Sequence, residues 1–167
     1  LGVNHCVFYQ KDVETESEQT KIETSHKIEV RTFGYFDVFV DGQAVTFKHK
    51  KAKELLALLI DRRGGTLTID EAISCLWENE TSNKQTQARY RKAAMQLHKT
   101  LEHYGISYIL EYSRGVRRIK TEYLECDLYD YLAGREDNFV PFHGNYLLNY
   151  SWGETTYSWL LNTKDSL

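Results

Sequence analysis

The sequence predicts an α+β fold, with an N-terminal antiparallel sheet, three helices, a C-terminal hairpin and a short helical extension. Three observations predict it. Short β-prone runs broken by turn residues fill 28–47, apolar residues at helical spacing between capping and stop signals fill 51–104, and two more β-prone runs flank Ser113-Arg114-Gly115. A chain of 167 residues with 41% apolar content can bury a proper core in one domain of common size, with some length to spare.

Residues 10–27 are polar and rich in Glu, Thr, Ser and Lys, which reads as a linker after a short strand-like remnant, His5 to Tyr9. From Ile28 the texture changes. Ile28 to Phe33, Tyr35 to Val40 and Ala44 to Phe47 are β-prone, and Asp41-Gly42 between the second and third marks a tight hairpin, because both residues tolerate the positive φ of a type I′ turn. Lys51 to Arg62 places Ala52, Leu55, Leu56 and Leu59 on one stripe, and Gly64-Gly65 supplies a left-handed stop. Thr68-Ile69-Asp70-Glu71 has the form of a capping box, followed by a buried side of Ile69, Ala72, Ile73, Leu76 and Trp77. Ser82 with Gln85 forms a second candidate box before a long third helix over 83–104, closed by Gly105. Tyr108 to Tyr112 and Val116 to Lys120 then read as a hairpin with a basic tip. Helix, turn, helix and hairpin in this order make a winged helix-turn-helix. The expected boundaries are 1–27 for the upstream remnant and linker, 28–120 for the winged helix and 121–167 for the extension.

The formal net charge of -3 hides a strong asymmetry. Lys and Arg outnumber Asp and Glu by 15 to 8 over 48–120, whereas acids lead by 8 to 4 before that block and by 8 to 2 after it. A basic block between acidic flanks is the footprint of a domain that meets a polyanion. The alternative is a solvated helix start at Lys48, Lys50, Lys51 and Lys53.

The third helix carries two faces. Tyr90, Ala94, Leu97 and Leu101 recur at spacings of four, three and four, while Gln85, Arg89, Lys92, Gln96 and Lys99 follow the same period on another side. One side suits a core. Arg, Lys and Gln on the other are the side chains that reach phosphates and base edges, and an α-helix fits the major groove. A charged face that meets only water is the competing reading.

The run FGYFDVFVDGQAVTFKHKKAKELLALLIDRRGGTLTIDEAISCLW, with QLHKTL in the third helix, resembles the DNA-binding domain of SARP-like bacterial transcriptional activators, which is similar to the OmpR-type winged helix. The resemblance covers Ile28 to about Lys120. Glu125-Cys126-Asp127-Leu128, His143-Gly144-Asn145-Tyr146-Leu147 and Trp152 resemble the opening of the bacterial transcriptional activation domain that follows in that family. His98 stands where relatives often carry Arg. The resemblance implies a sequence-specific regulator, an activator or a response-regulator output domain of a two-component system, in the bacterial cytoplasm. It implies binding to double-stranded DNA as a homodimer on direct repeats, with RNA polymerase or the rest of its own activation domain as protein partners. Helix 83–104 then enters the major groove, with Gln85 and Arg89 on bases and Arg91, Lys92, Gln96, Lys99 and Lys51 on phosphates. The wing, 112–118, brings Arg114, Arg117 and Arg118 to the flanking backbone or minor groove, although adjacent strand residues such as Arg117 and Arg118 point to opposite faces.

Other classes find little support in the residues. No phosphate-cradling glycine loop, metal-spaced Cys/His cluster or nucleophile elbow is present, so no enzyme, metal or cofactor is expected. No apolar run approaches a membrane span, and no secretory signal is visible. Cys6, Cys75 and Cys126 are odd in number and widely spaced, which reads as reduced and structural. The tail aromatics, among them Tyr129, Tyr146, Trp152 and Trp159, sit beside acids that oppose phosphate and are expected to pack a core or a protein interface. The alternative function is a winged-helix protein-protein interaction module without DNA binding.

Overall fold

The computed structural model describes residues 25–135 and 141–165. The strand expected at His5 to Tyr9, nearly all of the polar stretch 10–27 and Cys6 lie outside them.

Strict alternation builds the first sheet. β1 (Ile28–Arg31) and β2 (Asp37–Val40) turn Ile28, Val30, Val38 and Val40 inward, and they pair antiparallel with Ile28 opposite Val40 and Val30 opposite Val38. Asp41 and Gly42 take φ of 50° and 82°, the two consecutive positive values of the expected tight turn, before β3 (Gln43–Ala44). The strands are shorter than the β-prone runs. Between β1 and β2 the backbone bonds to the C-terminal extension instead: Leu147 N–H donates to Thr32 at 2.8 Å, Leu148 N–H to Gly34 at 2.9 Å, and Gly34 N–H to Asn145 at 3.2 Å.

α1 (Lys50–Asp61) buries Ala52 and every residue from Leu55 to Ile60, so it is the central helix rather than a one-sided one. Arg63 and Gly64, at φ of 54° and 85°, turn the chain out of it. β4 (Leu67–Thr68) leads into α2 (Ile69–Leu76), and the capping box is reciprocal: Glu71 N–H donates to Thr68 Oγ1 at 3.2 Å and Thr68 N–H to Glu71 Oε2 at 2.9 Å. Of the expected buried side, Ala72, Ile73 and Leu76 are buried while Ile69 and Trp77 are only partly covered.

α3 (Lys84–His103) starts on a different cap from the one expected. Asn83 Oδ1 accepts from Gln85 N–H at 2.9 Å and Thr86 N–H at 3.0 Å, and Asn83 N–H donates to Thr86 Oγ1 at 2.9 Å. An Asn one residue nearer the helix outcompetes Ser82, whose hydroxyl takes Gln87 Nε2. β5 (Leu110–Ser113) and β6 (Val116–Ile119) form the expected hairpin around Arg114 and Gly115, at φ of 52° and 79°. β4 adds to β6 as a third strand, with Leu67 opposite Arg117.

The extension does not open as a separate helical unit. β7 (Leu124–Cys126) lies parallel beside β1, Ile28 opposite Leu124, and completes a sheet of order β3-β2-β1-β7. α4 (Asp127–Leu132) and α5 (Glu154–Asp165) follow. Leu128, Phe142, Tyr146, Leu147 and Leu160 join the same core as the three central helices. The buried Asp127 carboxylate ties β7 to the end of β1, accepting from Thr32 N–H, Thr32 Oγ1, Phe33 N–H and Leu128 N–H at 2.6–2.9 Å. Tail aromatics do the same to α1: Tyr129 O–H donates to the Ile60 carbonyl at 2.7 Å, Tyr146 O–H to Asp61 at 2.6 Å and Trp152 Nε1 to Glu54 at 3.1 Å. Cys75 and Cys126 are free thiols, both pushed up in pKa mainly by burial.

Candidate nucleic-acid interface

Twenty residues make α3 about 30 Å long, and its two faces separate as their spacing requires. Tyr90, Ala94, Leu97 and Leu101 are buried against α1 and α2, none above 7% exposed. Gln85, Arg89, Lys92 and Lys99 are exposed on one stripe of the opposite side, with Gln96 half-covered among them. Arg91 is exposed on the flank, a quarter turn away. α3 contains five Lys or Arg residues and a single acid, Glu102.

One contact modifies the stripe. Arg89 Nη1 lies 3.0 and 2.9 Å from the two carboxylate oxygens of Glu80, in the connection between α2 and α3. Sequence periodicity gives no hint of this partner, because Glu80 lies outside both helices. Lys92 and Lys99 have no ion-pair partner among the described residues. Near the C-terminal half of α3, Gln96, Lys99 and His103 face Lys48 and His49 across a groove whose lining includes no carboxylate.

The hairpin residues divide by role. Arg114 is exposed at the turn. Arg117 points to α3, where its Nη1 donates to the Tyr90 hydroxyl at 2.7 Å and its guanidinium packs on the Tyr90 and Tyr112 rings, 5.1 and 4.4 Å from their centroids. Burial raises the Tyr90 pKa, with the Arg117 charge pulling it the other way. Arg118, on the other face as strand alternation demands, pairs with Glu111 at 2.6 Å, directly across the ladder. Lys51 likewise has an internal contact, donating to Glu54 at 2.8 Å and to the Leu76 carbonyl beneath the Trp77 ring. The structure thus brings Gln85, Arg89, Lys92, Gln96 and Lys99 onto one surface, and gives Arg117, Arg118 and Lys51 partners within the chain.

What such a surface can do is electrostatic and geometric: a row of fixed cations on a convex rod, with amide groups between them, matches phosphates and base edges in a groove about 12 Å wide. Among the described residues no cluster of His, Cys, Asp or Glu has metal-ligand geometry. No helix of the described residues is long and apolar enough to cross a membrane.

No protein-family model and no curated protein matches the chain. Among solved structures, it is similar to Mycobacterium tuberculosis EmbR in complex with a low-affinity phosphopeptide, with a TM-score of 0.62 and 20% identity. The likeness covers 84% of this chain and 43% of that one, so the chain spans less than half the length of EmbR. At this identity what the two chains demonstrably share is a fold.

Proposed function

We propose that the chain is a sequence-specific transcriptional regulator of the winged-helix kind, binding double-stranded DNA with α3 in the major groove. Gln85 and Arg89 on the first turns of α3 read bases; Lys92, Gln96 and Lys99 farther along, with Arg91 on the flank, meet phosphates. The β5–β6 hairpin is the wing, and Arg114 at its tip reaches the flanking backbone or minor groove. Arg117 and Arg118 support the wing instead of touching DNA, and Lys51 braces α1 against α2. The carrying observation is the separation of faces on α3: its apolar seam is buried while its basic and amide stripe is open to a partner.

The family resemblance of 28–120 and the fold likeness to EmbR point the same way. On that resemblance, two chains sit head to tail on direct repeats in the bacterial cytoplasm, and the acidic segment 121–167 faces protein, either RNA polymerase or the remainder of an activation region. Selection of random duplexes by the intact chain, followed by sequencing, tests the reading. A discrete enriched motif is expected, and Arg89→Ala weakens binding to it by roughly 1–3 kcal/mol with loss of preference at one or two positions. Recovery of unenriched sequence would overturn the sequence-specific reading.

A further inference from the structure

Glu80 is the one carboxylate among the described residues that pairs with the basic stripe, and its place is unfavourable for a group that serves no purpose there. A carboxylate beside a DNA-binding face is repelled by phosphates and lowers affinity for every duplex. An exposed ion pair also adds little to stability, and Arg89 and Glu80 are 50% and 44% exposed. The consequence of the contact is therefore geometric.

The loop that carries Glu80 is held by its own backbone and by the C-terminal extension. Glu80 N–H donates to the Trp77 carbonyl at 3.1 Å, Asn79 takes φ of 68°, and the Glu78 carboxylate accepts from Ser151 Oγ in the C-terminal extension. Both Glu80 oxygens converge on one atom, Arg89 Nη1. A guanidinium held by Nη1 keeps its Nε–Nη2 edge uncommitted, and that edge presents two parallel N–H donors in one plane. Two parallel donors fit O6 and N7 of guanine, the acceptor pair that no other base shows in the major groove.

We propose that Glu80 is a positioning residue that fixes the Arg89 guanidinium so that its Nε–Nη2 edge reads a guanine. This rests on the DNA-binding reading above. Glu80 restricts a long, flexible side chain before binding, so less rotamer freedom is lost on contact.

The test uses the intact chain and two duplexes: the selected sequence, and the same sequence with the guanine assigned to Arg89 replaced. Dissociation constants are measured for wild type, Glu80→Ala, Arg89→Ala and the double variant at one salt concentration. Glu80→Ala is expected to reduce discrimination between the two duplexes roughly tenfold, within the range of one bidentate arginine–guanine contact, while affinity for the replaced duplex rises. In the Arg89→Ala background the same change is expected to leave discrimination where Arg89→Ala put it. Full discrimination in Glu80→Ala would overturn the proposal, as would an equal loss in the double-variant comparison, since Glu80 then acts through some other group. If wild type binds neither duplex, the DNA-binding reading itself has failed. If it binds and discriminates but Arg89→Ala does not alter the preference, only the Arg89 assignment and this proposal fall.

Discussion

The Arg117 guanidinium donates to the Tyr90 hydroxyl at 2.7 Å and so joins the β5–β6 hairpin to the middle of α3. The Tyr112 ring packs on the same group, 4.4 Å from its centroid to the guanidinium. An arginine that faces its own fold in this way sets the angle between hairpin and helix. Arg117→Met keeps much of the stem and removes the charge, the hydrogen bond and the cation–π contacts, at an expected cost of about 1–2 kcal/mol after allowing for partial exposure. Urea denaturation measures it; a change below about 0.3 kcal/mol would show that the hairpin does not depend on this contact.

Asp127 is a buried carboxylate satisfied by four donors from Thr32, Phe33 and Leu128. Asp127→Asn turns an amide N–H₂ toward groups that are themselves donors, so one or more buried N–H groups lose their acceptor. A loss of about 2–4 kcal/mol is expected. Thermal unfolding checks it, and an Asn variant as stable as wild type would mean that the β1–β7 junction tolerates unpaired donors.

Alkaline pH probes the packed tail. The hydroxyls of Tyr129, Tyr146 and Tyr150 are all pushed above their ordinary pKa of 10.0, mainly by burial and secondarily by nearby negative charge. A group raised in the folded state contributes stability that is complete below pH 10 and declines as pH rises above it. Each of the two most buried, Tyr129 and Tyr146, removes up to about 1.4 kcal/mol per pH unit, so together they offset about 5 kcal/mol, the lower end of a typical total stability, near pH 12. Tyrosinate absorbance and circular dichroism followed in one titration should therefore show a late ionisation step coincident with unfolding. Smooth ionisation of every tyrosine with the fold intact is the contrary result.

Deletion after Lys120 should abolish folding instead of freeing an independent domain. It removes β7 from the first sheet together with the buried side chains of Leu128, Phe142, Leu147 and Leu160. At about 1.5–3 kcal/mol each, these four are worth on the order of 6–12 kcal/mol, comparable to the whole stability of a small domain. Cooperative unfolding of the 1–120 fragment, with native-like chemical-shift dispersion, would show that the extension merely decorates the fold.

What could be read from the residues was whatever depends on local rules. The Asp41-Gly42 turn, the Thr68–Glu71 box and the two faces of α3 each follow from backbone preference or a 3.6-residue period, and each is present. What escaped depends on contacts distant in sequence. The parallel pairing of Leu124–Cys126 with β1 joins residues about ninety-six apart, and three residues are too few to announce a strand. Likewise, Arg117 and Glu80 are unremarkable charges in a linear reading, and only the approach of Tyr90 and Arg89 gives them roles.

The central claim, that the open stripe of α3 meets duplex DNA, is tested most directly by the salt dependence of binding by the intact chain. If Arg91, Lys92, Lys99 and Arg114 each neutralise a phosphate, the slope of log K against log salt is about −3.6, and a threefold rise in salt costs on the order of fiftyfold in affinity. Lys92→Glu with Lys99→Glu should flatten that slope. Binding that ignores both salt and the charge reversal, or no duplex binding at the lowest salt, would contradict the account.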